Sequence, residues 1–234
     1  MCGIAGIASA RPIDPAELAP FLQTLRHRGP DDQGHFLNPE KTVGLAHTRL
    51  SILDLSAAGR QPMTNEDGTL WITYNGEIYN YRELRQELCA KGHRFHSKTD
   101  TEVILHLYEE EGEAVVDRLI GMFAFAIYDQ RHSRLFLARD RLGVKPLYYA
   151  EENGRFLFAS EIKAILATGL VEPEVNWQAI LDYFTFLFVP HPETAFQKIH
   201  QLPPAHSLSF HLTTRTFSLK RYWTPWADGE GKRS

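Results

Sequence analysis

Short apolar runs separated by polar segments rich in Gly, Pro, Asn and Asp repeat along the chain, and this pattern predicts many β-strands. The predicted strands in the first third of the chain are CGIAGIAS, TVGLAHTRLSIL and TLWITYNGE. Further along, MFAFAIYD and RLFLARD predict a strand pair joined through residues 130–133, and PLYYAEENGRFLFAS predicts a hairpin that turns at Asn-Gly. The predicted strands HSLSFHL and TFSLKRYW come last.

Between these strands, the sequence predicts helices over residues 14–27, 79–90, 100–111, 161–167 and 176–186. The segment HRGPDDQG is predicted to be a turn-rich loop, and SAAGRQPMTNEDG a long irregular loop. Because many predicted strands are joined by short hairpins, the pattern favours antiparallel sheets covered by helices over a parallel, doubly wound sheet. The predicted fold class is therefore α+β.

Composition narrows the function classes. The chain has 234 residues, 43% of them hydrophobic, and a net charge of -4 without any basic run, which argues against a nucleic-acid partner. It has no apolar stretch near the ~18 residues of a spanning helix and no secretory signal, so no membrane partner is expected. Its two cysteines, Cys2 and Cys89, do not make a disulfide framework, which predicts a reduced, cytoplasmic protein.

Cys2 is the first candidate for chemistry. If Met1 is removed, Cys2 carries both a thiol and a free α-amine, which titrate near ~8.5 and ~8 respectively. One residue would then supply a nucleophile and a base matched to neutral pH. Position alone favours the duller alternative, a cysteine in a frayed terminus. The predicted strand that begins at Gly3 favours the catalytic interpretation, because it would anchor the terminus in a sheet.

Four further positions carry weaker signals. Asn75 and Gly76 in YNGEIYNY suit an oxyanion hole, although Asn-Gly after a strand is usually a turn. Arg49 suits a bidentate grip on a carboxylate, although an arginine at a strand end is usually solvated. Asp100 suits a substrate ammonium, although Ser, Thr and Asp before a helix are ordinary caps. Each signal alone is compatible with a purely structural role.

The histidines do not point to a metal. The chain has 11 of them but no HExxH motif and no paired CxxC motif, so we predict no metal site. His93 and His96, in the stretch HRFH after Gly92, are expected at the surface. Since GxGxxG and Walker-type loops do not occur either, no nucleotide site is expected in this chain.

Seven stretches together resemble one family, in the same order along the chain. They are MCGIAGI, RHRGPDD, HTRLSILDLS, YNGEIYNYRELR, TDTEVILHLYEEEG, GMFAFAIYD and RDRLGVKPLYYA. This order resembles that of class II glutamine amidotransferase domains, and in particular the N-terminal glutaminase domain of glutamine-hydrolysing asparagine synthetases. The resemblance covers about residues 1–223. It implies the four-layer α/β/β/α fold of N-terminal-nucleophile hydrolases, with two stacked antiparallel sheets.

The resemblance also implies a role for each candidate. Cys2 would be the nucleophile after removal of Met1, with Asn75 and Gly76 as the oxyanion hole. The glutamine pocket would contain an arginine for the α-carboxylate, the segment after it, and two acidic partners of the α-ammonium: Arg49, Leu50, Ser51, Ile52, Leu53, Glu77 and Asp100. Residues 56–68 and the HRGPDD loop are hypothesised to be lids that exclude water.

The partner is expected to lie outside this chain. No SGGxDS pyrophosphate-binding loop occurs here, so the resemblance assigns ATP and Mg²⁺ to an absent synthetase domain or subunit and no cofactor to this chain. Residues 224–234 would be a polar tail that begins the linker to it. A homodimer is a further possibility. For the apolar run at residues 184–189, in FTFLFVP, both a docking surface and core burial are open, and core burial is favoured.

Three functions stay open from sequence alone. The first is the ammonia-donating half of an asparagine synthetase, which hydrolyses L-glutamine. The second is a glutaminase that serves another amide-forming acceptor. The third is a non-catalytic module that keeps the fold and senses glutamine, and the presence of Cys2, Arg49, Asn75, Gly76 and Asp100 together argues against it.

Overall fold

A computed structural model describes residues 1–225, and these residues form two antiparallel sheets of six strands each. The strands are β1 (Gly3–Ser9), β2 (Asp32–Leu37), β3 (Val43–Arg49), β4 (Met63–Thr64), β5 (Leu70–Ile78), β6 (Gly121–Asp129), β7 (Arg134–Arg139), β8 (Tyr148–Glu152), β9 (Arg155–Ala159), β10 (Ile199–Gln201), β11 (His206–His211) and β12 (Thr216–Arg221). The first sheet has the order β10-β8-β9-β1-β3-β2, and the second has the order β12-β11-β7-β6-β5-β4.

The described helices are short. They are α1 (Ala19–Leu25), α2 (Tyr81–Ala90), α3 (Asp100–Glu111), α4 (Val115–Arg118), α5 (Ile162–Leu166) and α6 (Trp177–Phe186), with 3-10 turns at Pro15–Leu18, Ala57–Gly59 and Gly112–Ala114. Within residues 1–225, no helix has the length and apolar character needed to cross a membrane.

Three apolar clusters among the described residues divide the molecule into four layers. One cluster packs α2, α3 and α4 against the second sheet, and another packs α1 and α5 against the first sheet. The third fills the space between the two sheets, where Phe156 stacks on Phe210 with ring centroids 4.5 Å apart. Two stacked antiparallel sheets between helices confirm the expected α+β, α/β/β/α fold.

Strand β6 shows why the central strands are apolar throughout. In GMFAFAIYD, the large side chains of Phe123, Phe125 and Ile127 face the helices, whereas Ala124 and Ala126 face the other sheet. Successive side chains of a strand point to opposite faces, so a strand covered on both faces has no polar positions to alternate with. The small alanines on one face let the two sheets approach closely.

Several sequence-based boundaries were wrong. The helix expected over residues 14–27 divides into a 3-10 turn and α1, because Pro20 lies in the first turn of α1 and has no N–H to continue the turn before it. The expected loop HRGPDDQG enters β2 at Asp32, which pairs with β3. The expected irregular loop at residues 56–68 contains a 3-10 turn and β4, and neither β10 nor α4 was predicted.

The apolar run at residues 184–189 is not in the core, so the favoured expectation for it was wrong. Phe184 is 75% exposed and Leu187 is 80% exposed. Only Ala179 of α6 is buried, because the helix lies at the surface and does not complete either sheet's covering layer. Of the predicted polar tail, residues 226–234 lie outside the described part of the chain.

The core between the sheets predicts the effect of one substitution. Phe156→Ala removes a fully buried ring that stacks on Phe210, and we expect the free energy of unfolding to fall by about 3–5 kcal/mol. The matched control Phe184→Ala removes an exposed ring and should change it by less than about 0.5 kcal/mol. Urea denaturation of both variants measures the difference. Equal losses would contradict this assignment of the core.

Candidate active site

Cys2 lies directly before β1, an interior strand of the first sheet that pairs with β3 and β9. Gly3 pairs with Thr48 of β3, so the antiparallel register brings Cys2 beside Arg49 and Leu50. The Cys2 Sγ lies 3.4 Å from the backbone N of Leu50, which donates to it, and 3.7 Å from the Leu50 carbonyl oxygen. The sheet therefore anchors the N-terminal residue, as the apolar run after it predicted.

An ion pair fixes the backbone of Cys2. Arg28 donates from Nε to the Cys2 carbonyl oxygen at 2.9 Å and from Nη1 to Glu161 at 2.8 Å, and its side chain is only 8% exposed. Burial raises the pKa of Glu161, but hydrogen bonds from Arg28, Lys163 and His27 outweigh burial and lower it to about 2. Arg28 thus keeps a charged partner at neutral pH. Sequence reasoning missed its role, because Arg28 stands in the turn-like motif RHRGPDD.

Asn75 and Gly76 lie on β5, in the second sheet. Asn75 is 2% exposed, and its amide Nδ2 has no hydrogen-bond partner within the described residues. A buried amide donor without a partner costs about 1–3 kcal/mol, so its presence calls for an explanation. A Cβ on Gly76 would lie 2.5 Å from the Met122 carbonyl oxygen on β6, so only glycine allows this strand approach.

Two polar contacts join the sheets next to these residues. His47 of β3 contacts the Tyr74 carbonyl oxygen of β5 through Nε2 at 3.1 Å, and Thr73 donates to the Ala46 carbonyl oxygen at 3.2 Å. Burial lowers the pKa of His47 to about 4, so the ring is neutral at physiological pH. These contacts set the separation between β3, whose last residue lies beside Cys2, and β5, which carries Asn75.

The two acidic candidates, Asp100 and Glu77, lie close enough for the charge of one to affect the other. Asp100 is not the cap of α3, since Thr99 caps that helix. Its Oδ2 instead accepts hydrogen bonds from the Tyr74 hydroxyl at 2.6 Å and from the Ile78 N–H at 2.9 Å. Burial raises the pKa of Asp100 despite these donors. Burial, and then the charge of Asp100, raise the pKa of Glu77.

Arg49 organises the loop that follows β3. Its guanidinium donates to the carbonyl oxygens of Ser56, at 3.1 Å, and of Asp54. A Cβ on Gly59 would lie 2.2 Å from its Nη2, so glycine lets the loop close over the guanidinium. Ser51 is the exception among the predicted pocket residues: it does not line the cleft, and its N–H donates to Asp31 at 2.8 Å.

These residues meet in one open cleft with a cavity volume of about 210 Å³. It brings together every predicted site residue except Ser51. The lining consists of Met1, Cys2, Arg49, Leu50, Ile52, Leu53, Gly59, Gln61, Tyr74, Asn75, Gly76, Glu77, Thr99, Asp100, Thr101, Met122 and Lys145. Arg49 and Lys145 supply positive charge to it, and Glu77 and Asp100 supply negative charge.

Sequence reasoning missed Gln61 and Lys145. Gln61 accepts from the Tyr74 N–H at 2.7 Å and donates to the Thr101 hydroxyl at 3.2 Å, so it ties β5 to α3. Lys145 is 6% exposed, and its Nζ contacts the Met1 Sδ at 3.5 Å. Lys145 stood inside the quoted motif RDRLGVKPLYYA, but nothing in the motif indicated that its side chain enters the cleft.

The model of the glutamine amidotransferase domain family matches residues 1–223. This chain is a member of that family. Glutamine-hydrolysing asparagine synthetase 2 of Bacillus subtilis (strain 168) is 41% identical over 234 residues, which cover 96% of this chain and 31% of that protein. Amidase chry2 of Gibberella zeae is 38% identical over 192 residues, which cover 82% of this chain and 28% of that protein. The amidotransferase domain therefore spans about a third of the length of these curated relatives.

A solved structure supports the fold of the amidotransferase domain. Glutamine phosphoribosylpyrophosphate amidotransferase from B. subtilis superposes with a TM-score of 0.72 at 19% identity, covering 95% of this chain and 49% of that chain. At this identity the likeness concerns the fold alone. The family and the fold class inferred from the seven motifs are thus confirmed, whereas the individual roles of the cleft residues stay predictions.

The buried His47 predicts a pH dependence of stability. Its pKa is about 4 when folded and 6.5 when unfolded, so the unfolded state binds the extra proton and stability is lost as pH falls below 6.5. From about pH 7.5 to about pH 5, we expect His47 to cost about 2 kcal/mol. His47→Gln keeps a donor for Tyr74 but cannot titrate. Urea denaturation at both pH values should show a smaller loss in this variant, and equal losses would contradict the prediction.

Proposed function

We propose that this domain hydrolyses L-glutamine to glutamate and ammonia through a thioester on Cys2. The observation that carries the proposal is the buried Nδ2 of Asn75, which has no hydrogen-bond partner among residues 1–225 and lies in the cleft that contains the Cys2 thiol. Attack of the thiolate on an amide carbon turns the carbonyl oxygen into an oxyanion, and a desolvated donor fixed beforehand stabilises that charge best. Substrate binding would give Asn75 the acceptor that it lacks in the free protein.

The charges of the cleft suit the zwitterionic end of glutamine. Arg49 would hold the α-carboxylate while Glu77 and Asp100 hold the α-ammonium, and Leu50, Ile52 and Leu53 would cover the aliphatic stem. Burial raises the pKa of both acids in the free protein, and a bound ammonium would favour their charged forms. Cys2 and Asn75 would then meet the side-chain amide at the neutral end of the substrate.

The Cys2 residue would also supply the base. Burial raises the pKa of its thiol, so the thiolate needs a nearby proton acceptor. After removal of Met1, the α-amine of Cys2 would accept the thiol proton and pass it to the departing ammonia. The carbon–nitrogen bond breaks, a thioester forms, and water then cleaves the thioester to release glutamate. Since Met1 lines the cleft, its removal would also free space beside Lys145.

The proposal also covers the cofactors and the acceptor of the released ammonia. Hydrolysis requires no cofactor, and ATP and Mg²⁺ would act in a synthetase domain that receives the ammonia. Similarity to glutamine-hydrolysing asparagine synthetases favours asparagine formation there. Another amide-forming acceptor is the second candidate, because the residues of the cleft concern glutamine and not the acceptor of ammonia. The free thiols of Cys2 and Cys89 fit a reducing compartment, and we place the protein in the cytoplasm.

The exposed side of α6 supports an acceptor partner. Trp177 is 71% exposed, Leu181 61%, Phe184 75% and Leu187 80%, which leaves large apolar groups uncovered on one helix and the turn after it. Contiguous apolar surface of this kind marks interaction sites. Because the curated relatives are about three times longer than this chain, we assign the face to the ammonia-accepting domain rather than to a second copy.

Glutamate release tests the nucleophile. We expect release from L-glutamine by the purified chain, and its complete loss in Cys2→Ala, because no other residue forms the thioester. The matched control Cys89→Ser alters the exposed cysteine of α2 and should keep full activity. Intact mass measurement must show that Met1 has been removed. Glutamine binding without glutamate release, on a chain that lacks Met1, would instead indicate the sensing module.

Asn75 offers a sharper test of the oxyanion hole. Asn75→Ala should lower kcat by about 10²–10³-fold and leave KM nearly unchanged, because the donor acts on charge that develops after binding. The variant should keep its melting temperature within a few degrees, since Nδ2 has no partner within the described residues to lose. A rise in KM at constant kcat would assign Asn75 to ground-state binding and contradict the proposed role.

A further inference from the structure

Two histidines and a glutamate meet on the far side of α3 from the cleft. His93 follows α2 and is anchored there by its N–H, which donates to the Leu88 carbonyl oxygen at 3.0 Å. His106 and Glu109 stand one turn apart on α3. The Nδ1 atoms of the two histidines lie 3.1 Å apart, and the Glu109 Oε2 lies 2.8 Å from the His106 Nδ1 and 3.6 Å from the His93 Nδ1.

These three distances fit one face of a coordination tetrahedron. Metal–ligand bonds of about 2.0–2.1 Å to zinc place neighbouring ligands about 3.3 Å apart. The three separations are 2.8, 3.1 and 3.6 Å, so shifts of a few tenths of an ångström would complete the face. Two imidazoles and one carboxylate are a ligand set that zinc accepts, with a fourth position left for water.

The atoms that do not face the centre have polar neighbours of the kind that orient metal ligands. The His93 Nε2 lies 3.1 Å from Glu110, and Asn65 donates to the Glu109 Oε1 at 2.7 Å, which leaves Oε2 to the cluster. The His106 Nε2 is buried without a hydrogen-bond partner in the described residues, with Glu102 at 3.8 Å. A hydrogen bond from a ligating imidazole to a carboxylate fixes the tautomer that binds metal.

If both histidines carry their proton on Nε2, the lone pairs of their Nδ1 atoms point at one another. If His93 donates from Nε2 to Glu110, its Nδ1 carries a lone pair, and the same holds for His106 when its Nε2–H faces Glu102. In this tautomer, two nitrogen lone pairs and a carboxylate oxygen converge within 3.6 Å, an arrangement that a cation at the centre would stabilise. We propose that this cation is Zn²⁺, held by His93, His106 and Glu109.

The zinc would join the segment after α2 to the middle of α3. Both helices lie over the second sheet, and α3 begins with Asp100 in the cleft. A metal there holds α3 in place without touching the cleft residues. The sequence did not indicate this site, because the ligands have the spacing H-x₁₂-H-x₂-E rather than a compact motif. Of the two histidines expected at the surface, His96 is exposed, whereas His93 is half-buried with 15% of its side chain exposed.

A proton is the competing occupant. Burial lowers the pKa of His106, but the carboxylates of Glu102 and Glu109 outweigh burial and raise it to about 9. A proton on the His106 Nδ1 would bridge the same three atoms without metal. The two occupants predict different metal content, so direct binding measurements distinguish them.

Zinc binding is best measured on the untagged Cys2→Ala/Cys89→Ser double variant, which has no thiols to bind the metal elsewhere. We expect one Zn²⁺ per chain with a Kd of about 1 µM or tighter, and Co²⁺ should give the intense visible absorption of tetrahedral coordination. The melting temperature should rise with zinc and fall on chelation. Glutamine hydrolysis is not a readout, so failure here leaves the proposed function untouched.

Three further variants locate the metal. Adding His93→Ala or Glu109→Gln should weaken zinc binding by about 100-fold, and adding Glu110→Gln by about tenfold through the orientation of His93. The matched control His96→Ala removes an exposed histidine three residues from His93 and should leave the affinity unchanged. No stoichiometric binding would overturn the proposal in favour of the proton, and binding that survives His93→Ala and Glu109→Gln would place the metal elsewhere.

Discussion

The separation of the two sheets is the constraint on which the cleft depends. Cys2 lies at the start of β1 in the first sheet, whereas Asn75 and Gly76 belong to β5 of the second. The proposed nucleophile and the proposed oxyanion donor must be positioned within a fraction of an ångström of their working geometry, yet they lie in different layers. The separation of the sheets is fixed by the aromatic packing between them and by the contact of the His47 ring with the Tyr74 carbonyl oxygen. The layered fold therefore sets the geometry on which the proposed chemistry depends.

The position of the cleft between layers also sets its electrostatics. Burial is the largest influence on the pKa values of Cys2, Glu77 and Asp100, and it raises all three. Removing water makes charged groups costly unless they are paired, so the free site favours neutral forms. A zwitterionic ligand would bring both partners at once. The same desolvation that opposes ionisation in the free protein strengthens each contact in the complex.

Features that depend on neighbouring residues in the sequence could be predicted, whereas contacts between distant residues could not. The strand β6 could be predicted from MFAFAIYD because its apolar run reports burial on both faces, and the order of seven motifs identified the family. The contacts of Gln61, Lys145 and Arg28 with the cleft depend on register and layer spacing, which no local pattern encodes. The error at residues 184–189 has a related cause: whether an apolar run is buried depends on which elements pack against it, and here the apolar side chains stay exposed.

The free protein has a buried hydrogen-bond donor without a partner among its described residues, in the cleft where we expect its ligand to bind. The Asn75 Nδ2 is buried in the cleft without a hydrogen-bond partner among residues 1–225. A fold selected for stability alone would replace such groups with apolar ones, since each costs about 1–3 kcal/mol. Their retention argues that binding, not folding, supplies the missing partners.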